Sequence, residues 1–183
     1  ETRIEEAVKS FENSLKPQAH VLDAGYGEGT YRPHFEDHSY VGIDTTVGNS
    51  NWNYSQVDTQ ADATALPFRN ACFDAVMNIV VLEHTLDPQQ VLCEIARVLK
   101  PGGRLLLIVP QQWEVHQAPH DYFRFTQFGL QHLLAKAGLV TPHIEPLGGF
   151  FTLAGRRCLN ATTFFMRGLG WALFPLVAAI ATV

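Results

Sequence analysis

Between Val21 and Thr30 the chain reads Val-Leu-Asp-Ala-Gly-Tyr-Gly-Glu-Gly-Thr, with glycines at 25, 27 and 29 directly behind an apolar run. Bare backbone of this kind lets a ligand lie against main-chain amides. Asp44 follows at roughly the 20-residue spacing at which an acid meets a vicinal ribose diol, with Thr45 beside it. Asp62 opens Asp-Ala-Thr-Ala-Leu-Pro-Phe; its carboxylate is placed to accept from an adenine amino group, or to cap a turn. Three histidines, His84, His116 and His120, can take a proton as neutral imidazoles. His84 directly follows Glu83 and reads either as a base or as a brace for the next helix. His116 and His120 stand four apart, a metal-ligand spacing on a helix. Pro119 opposes helix there and no third ligand but Asp121 is evident, so no metal is expected.

These residues need elements to hold them. Residues 3–15 repeat Ile4, Val8, Phe11 and Leu15 at helical spacing, ending before Pro17. Residues 19–23, 39–44 and 74–80 read as buried strands, with a probable short strand before Asp62. A helical stretch near 29–36 follows the glycines. Residues 88–99 present Val91, Leu92, Ile95, Val98 and Leu99 on one helical face, stopped by Pro101-Gly102-Gly103, and 104–109 form the most apolar strand. Thr126 caps a helix over 126–137, with Gly138 past its end. Residues 139–145 and 150–156 read as two strands joined through Gly148-Gly149, hence antiparallel neighbours. Strands alternating with helices predict an α/β fold with a mainly parallel sheet covered on both faces.

Composition narrows the function classes. With 183 residues and 46% hydrophobic content the chain can bury a full core. The net charge of −5 argues against a nucleic-acid partner, since phosphate neutralisation supplies that affinity. Cys72, Cys93 and Cys158 are odd in number and far apart, which reads as reduced thiols in a cytoplasmic compartment. Residues 1–16 are charged and polar, unlike a signal peptide, and the missing initiator Met makes residue 1 a doubtful native start. Two parts are expected: 1–157 as the ligand-binding domain, and 158–183 as an apolar helical segment, truncated at its end.

Taken together, the motifs resemble those of class I S-adenosylmethionine-dependent methyltransferases of the type 11 kind. Asp23-Ala-Gly-Tyr-Gly-Glu-Gly29 is similar to the family's first motif, Val41-Gly-Ile-Asp44 to its second, and Asp62 through Phe68 to its adenine-side motif. Phe73-Asp-Ala-Val through Val81-Leu-Glu-His84, then Glu94 through Gly103, are similar to its fourth strand and following helix. The resemblance spans residues 19–157. It implies a Rossmann-like three-layer sandwich whose seven-stranded sheet ends in an antiparallel strand. It implies S-adenosylmethionine as cofactor: Asp23, Gly25 and Gly27 at the methionine end, Asp44 at the ribose, Asp62 and Ala63 flanking adenine, and Ile79, Val80 and Val81 near the sulfonium. Tyr26 departs from the small residue or Cys of many relatives; it either narrows the loop or stacks near the ligand. NAD fits less well, because its fingerprint spaces glycines as G-x-G-x-x-G on a pyrophosphate.

The long aromatic stretch from Gln111 to Thr126 is expected to form part of the acceptor pocket, with Tyr122 at its wall. Arg124 either meets an anionic acceptor or braces Asp121 or Glu114. The expected activity is methyl transfer to a small molecule, with oxygen as acceptor atom; the alternative is a cofactor-binding module without catalysis. Residues 164–183 contain Phe164, Phe165, Leu169, Trp171, Leu173, Phe174, Leu176, Val177 and Ile180, with Arg167 near the start and Pro175 inside. They read as a core helix, a lid, or an interfacial helix, and the last two point to a lipid-like or lipid-linked acceptor and a peripheral membrane contact. Oligomeric state is not legible.

Overall fold

The computed structural model describes residues 2–48, 51–140 and 143–165. Helix α1 (Thr2–Glu12) precedes strand β1 (His20–Ala24). A 3-10 turn over Arg32–Phe35 leads to β2 (Ser39–Asp44), and β3 is the short Thr59–Gln60. Strand β4 (Phe73–Ile79) is followed by helix α2 (Pro88–Val98) and strand β5 (Leu99–Ile108). Helix α3 (Gln127–Lys136) comes next, and helix α4 (Phe150–Phe165) ends the described chain.

The five strands pair in the order β3-β2-β1-β4-β5, every pair parallel. Asp23 stands level with Gly42 on one side and Met77 on the other. This is the order of a doubly wound Rossmann-like sheet. Its crossovers reverse direction between β1 and β4, and ligands bind in the crevice at that switch point, beyond the carboxyl ends of the strands.

Alternation along the strands builds a core on each face. Val21, Ala75, Met77 and Phe35 pack with Val8 of α1. Leu22, Ala24, Ile43 and Val76 pack with Leu92 and Ile95 of α2 and Leu130 and Leu134 of α3. The sheet is thus the middle of three layers. Helix α2 begins where Asp87 accepts from the Gln90 amide at 3.0 Å, with Pro88 in its first turn. Thr126 caps α3 by accepting from Gly129 N at 3.1 Å.

At the far end of α2, the Arg97 guanidinium uses all five of its N–H groups. It donates to both Glu94 oxygens, the Leu66 and Phe68 carbonyls and Asn70 Oδ1, at 2.7–2.9 Å. Glu94 in turn accepts from Leu66 N at 2.7 Å.

Two expectations are corrected. The Lys100-Pro-Gly-Gly turn lies within β5, as an irregularity in its pairing with β4 between the Phe73–Leu99 and Ala75–Arg104 partners. Residues 150–156, expected as a strand, are helical. Their sequence Phe-Phe-Thr-Leu-Ala-Gly-Arg lacks the strict period of two, and Leu153 N closes a helical turn on Gly149 O at 3.1 Å instead. The described part of 139–145 holds no strand either, so the expected antiparallel strand is not among the described residues.

By contacts the chain divides into two units, Glu1–Ile144 and Glu145–Val183. The first contains the sheet; α4 belongs to the second. No helix among the described residues is long and apolar enough to cross a membrane. The apolar residues 166–183 lie outside the described residues.

Candidate functional site

The glycine loop is folded back onto β2: the amides of Gly25 and Tyr26 both donate to Ile43 O at 2.9 Å. Gly25 has φ +118°, and a Cβ there would lie 2.1 Å from Val81 Cγ2. Only glycine lets the end of β1 approach the end of β4 this closely. Tyr26 is turned inward. Its side chain is 4% exposed and lies under the loop, where a Cβ on Gly42 would lie 2.1 Å from the ring. Arg32 donates to Tyr26 Oη at 2.8 Å, lies 5.1 Å from the Tyr26 and Tyr40 ring centroids, and pairs with Asp58. Of the two readings for Tyr26, the structure favours a ring that shapes the loop from beneath.

The three carboxylates stand in different surroundings. Asp44 Oδ2 accepts from Gly27 N at 2.9 Å and Oδ1 from Thr46 N at 2.7 Å. Among the described residues each oxygen thus accepts one hydrogen bond and keeps a further lone pair, since a carboxylate offers about four acceptor sites. Asp44 is only half-buried, and it stands at the tip of β2 with Thr45 exposed beside it. Asp23 is fully buried. Burial pushes its carboxyl up to about 6, against a hydrogen bond from Tyr40 Oη at 2.5 Å that favours ionisation. Asp62 is exposed; its Oδ1 accepts from the amide and hydroxyl of Thr64, both at 2.8 Å, which is the turn-capping role. Ala63 behind it is buried.

At the mouth of β4, the buried Asn78 donates to Ala24 O at 2.7 Å and so ties the ends of β1 and β4 together. Ile79 is 7% exposed, and Val80 has φ +56°. A β-branched residue in that region is strained. Such strain collects where a chain must present itself to a ligand.

Beyond β4 two of the three histidines meet. His84 Nε2 lies 3.1 Å from His116 Nε2. His120 is turned aside, with Nδ1 3.1 Å from Tyr122 Oη. Glu83, not singled out as a site residue, is 0% exposed, and neither carboxylate oxygen has a hydrogen-bond partner among the described residues. Its Oε1 lies 3.8 Å from His84 Nε2 and 3.7 Å from His116 Nε2. Burial raises the Glu83 carboxyl to about 7 and holds the His84 imidazole below its usual range. The signal for Glu83 was present in the sequence, as an acid placed directly behind the apolar run Ile79-Val-Val-Leu.

The loop from Gln111 to Thr126 owes its shape to Arg124. Its guanidinium spends all five N–H groups on Asp121 (2.6 and 2.8 Å) and on the carbonyls of Trp113, Glu114 and Phe123 (3.1, 2.8 and 2.7 Å). Beside Arg124, Asp121 titrates well below the usual carboxylate range. Of the two roles expected for Arg124, the brace is the one its contacts show, and Arg124 also lines the depression beside Tyr122. Tyr122 is 39% exposed and with Trp113, Val115 and Phe123 lines an open depression of about 230 Å³.

Comparison with known proteins agrees with this geometry. The family model described as "Methyltransferase domain" matches residues 22–107. The chain is 36% identical over 153 residues to a protein of Mycolicibacterium smegmatis described as a probable S-adenosylmethionine-dependent methyltransferase, covering 77% of this chain and 58% of that one. It is 40% identical over 120 residues to a ubiquinone/menaquinone biosynthesis C-methyltransferase of Saccharophagus degradans, covering 64% and 44%. A solved 1,6-didemethyltoxoflavin-N1-methyltransferase of Burkholderia thailandensis, with bound 1,6-didemethyltoxoflavin and S-adenosylhomocysteine, superposes with a TM-score of 0.59 at 22% identity, covering 73% of this chain and 66% of that one. Residues 22–107 carry a methyltransferase domain, and over that stretch and beyond it the chain is similar to S-adenosylmethionine-dependent methyltransferases. It spans about half the length of the two curated relatives described here.

Proposed function

We propose that this chain binds S-adenosylmethionine across the ends of β1, β2 and β4 and transfers its methyl group to a small-molecule oxygen. The observation that carries the reading is the pair formed by Asp44 and the Gly25–Gly27 backbone. A half-exposed carboxylate with unused lone pairs stands beside a cradle that a side chain on Gly25 would fill. That donor set suits a ribose diol next to an amino-acid tail, and a diphosphate, which needs amide donors and no carboxylate, fits it poorly.

Bound there, the cofactor supplies a methyl group on a sulfonium that leaves readily as a thioether. What the chain must do is position. Asp44 holds the sugar, Asp62 and Ala63 flank the base, and Asp23 offers a buried negative charge to the ammonium of the tail. Ile79, Val80 and Val81 fix the floor under the methyl. Holding an acceptor in line at near-attack distance is worth roughly 7–11 kcal/mol. An oxygen acceptor is favoured because the imidazoles of His84, His116 and His120 stand beside the loop that carries Tyr122, where a hydroxyl proton must be taken up or stabilised.

Calorimetry with S-adenosylhomocysteine tests the cradle. Asp44→Ala is expected to weaken binding by about 1.5–3 kcal/mol, the worth of hydrogen bonds to a charged group; unchanged affinity refutes the ribose assignment. A turnover screen reading S-adenosylhomocysteine release then tests the acceptor. Hydroxyl compounds, lipid-linked ones included, are expected to score. Turnover confined to carbon or ring-nitrogen acceptors refutes the choice of oxygen.

A further inference from the structure

The placement of Glu83, His84 and His116 raises a question that hydrogen bonding alone does not answer. His84 Nδ1 lies 2.6 Å from His120 O, and His116 Nδ1 lies 3.1 Å from Glu114 O and 3.3 Å from Asp121 Oδ2. Carbonyl and carboxylate oxygens only accept, so both Nδ1 atoms carry the hydrogen. In the neutral rings both Nε2 atoms are therefore bare lone pairs, yet they face each other at 3.1 Å. The third neighbour is the Glu83 carboxylate, fully buried and without a hydrogen-bond partner among the described residues. Three electron-rich atoms converge with no cation among their described contacts; a proton on one ring would satisfy the Nε2 pair but leave Glu83 without a partner.

The spacing says what would. The triangle formed by His84 Nε2, His116 Nε2 and Glu83 Oε1 has sides of 3.1, 3.7 and 3.8 Å. A point equidistant from its corners lies about 2.1 Å from each, which is the bond length of zinc to imidazole nitrogen and carboxylate oxygen. Each imidazole is held from behind by a carbonyl or carboxylate on its other nitrogen, the arrangement that orients metal-ligating histidines. We infer that Glu83, His84 and His116 bind one divalent transition-metal ion of the zinc type. Three protein ligands leave at least one position for water or an oxygen donor, as in catalytic rather than structural zinc sites. The class of ligand that position takes is an oxygen of the acceptor. That use rests on the methyltransferase reading above, in which, with the ion bound, His120 is the imidazole of the three that can take the hydroxyl proton; the site itself does not rest on that reading.

The test uses the full chain, stripped with a chelator and titrated with Zn2+ by calorimetry and with Co2+ by visible absorption. One ion per chain is expected, with the intense Co2+ bands of a low-coordinate site. His116→Ala and the near-isosteric Glu83→Gln are each expected to weaken binding by roughly 100-fold or more, beyond the 10–100-fold typical of lost outer-shell support. His132→Ala, on the exposed face of α3, is expected to bind as wild type. Failure of wild type to take up one ion overturns the inference. So does equal binding by the Glu83 and His116 variants while circular dichroism shows them folded, for then the ion is adventitious. S-adenosylhomocysteine binding is measured on the same samples. Its loss with the metal retained refutes the methyltransferase reading alone, and the reverse refutes the metal site alone.

Discussion

Gly25→Ala tests whether the ends of β1 and β4 are held apart by nothing more than one hydrogen atom. At φ +118° an alanine is strained, at a cost of about 1–3 kcal/mol. The new methyl would also lie 2.1 Å from Val81 Cγ2 and 2.8 Å from Cγ1, so Val81 must move or β4 must retreat. Overpacking of this kind costs a further 1–3 kcal/mol or so. The single variant should therefore lose about 2–6 kcal/mol, a large share of the stability of an ordinary domain. Val81→Ala removes the two methyls that collide and by itself costs roughly 1–2 kcal/mol of lost burial. In the double variant the two colliding methyls are gone, leaving the backbone strain and a tight 3.0 Å approach to the Cβ of residue 81. Urea unfolding of the four proteins, at constant m, gives the coupling energy. It should favour the double variant by about 1–3 kcal/mol, the overpacking share. A coupling below about 0.5 kcal/mol, the level at which distant sites add, refutes the packing argument. S-adenosylhomocysteine affinity of the double variant separates the other role: if the backbone at Gly25 also touches ligand, binding stays weak after folding is restored.

Three further outcomes follow from the polar groups. Asp23 titrates near 6 in the fold against 3.8 as a free side chain, so the native state holds its proton more tightly. Its contribution to stability is complete below pH 3.8 and is lost as pH rises through 6. The loss amounts to about 3 kcal/mol. Asp23→Asn should flatten that part of the stability–pH curve relative to wild type, and identical curves refute the assignment. Arg97→Lys keeps the charge but cannot fill five acceptors, and should lower stability by roughly 2–4 kcal/mol in thermal or urea unfolding; a loss under 0.5 kcal/mol counts against the role given to that network. Arg124→Lys should loosen the Gln111–Thr126 loop, raising the KM for acceptor while leaving S-adenosylhomocysteine affinity within about twofold; an unchanged KM shows that the loop does not shape the acceptor side.

What could be read from the residues in advance was the part written locally. The strand, the glycines and Asp44 lie within a short stretch, and α3 carries its own cap in Thr126. Groups that meet across the chain were not legible. His84 and His116 are 32 residues apart and touch only because the loop after β5 turns back. The spacing of four between His116 and His120 was set aside because Pro119 opposes helix there, and nothing local in the sequence named His84 as the partner of His116. Tyr26 looked like a ligand contact because of its neighbours; the ring turned under the loop because Gly42 leaves room for it. The helix at 150–165 was hidden by a glycine pair that reads equally as a hairpin turn or as a helix start.

The Arg97 clasp has a kinetic side. The segment Leu66–Asn70 has no regular secondary structure, yet its amide at Leu66 and its carbonyls at Leu66 and Phe68 are fastened to the last turn of α2. It cannot fray as surface loops do, because several bonds converging on two side chains must let go together. Its amide protons should trade with solvent on the slow timescale of the sheet beneath it, and the adenine-side wall that begins at Asp62 inherits that steadiness.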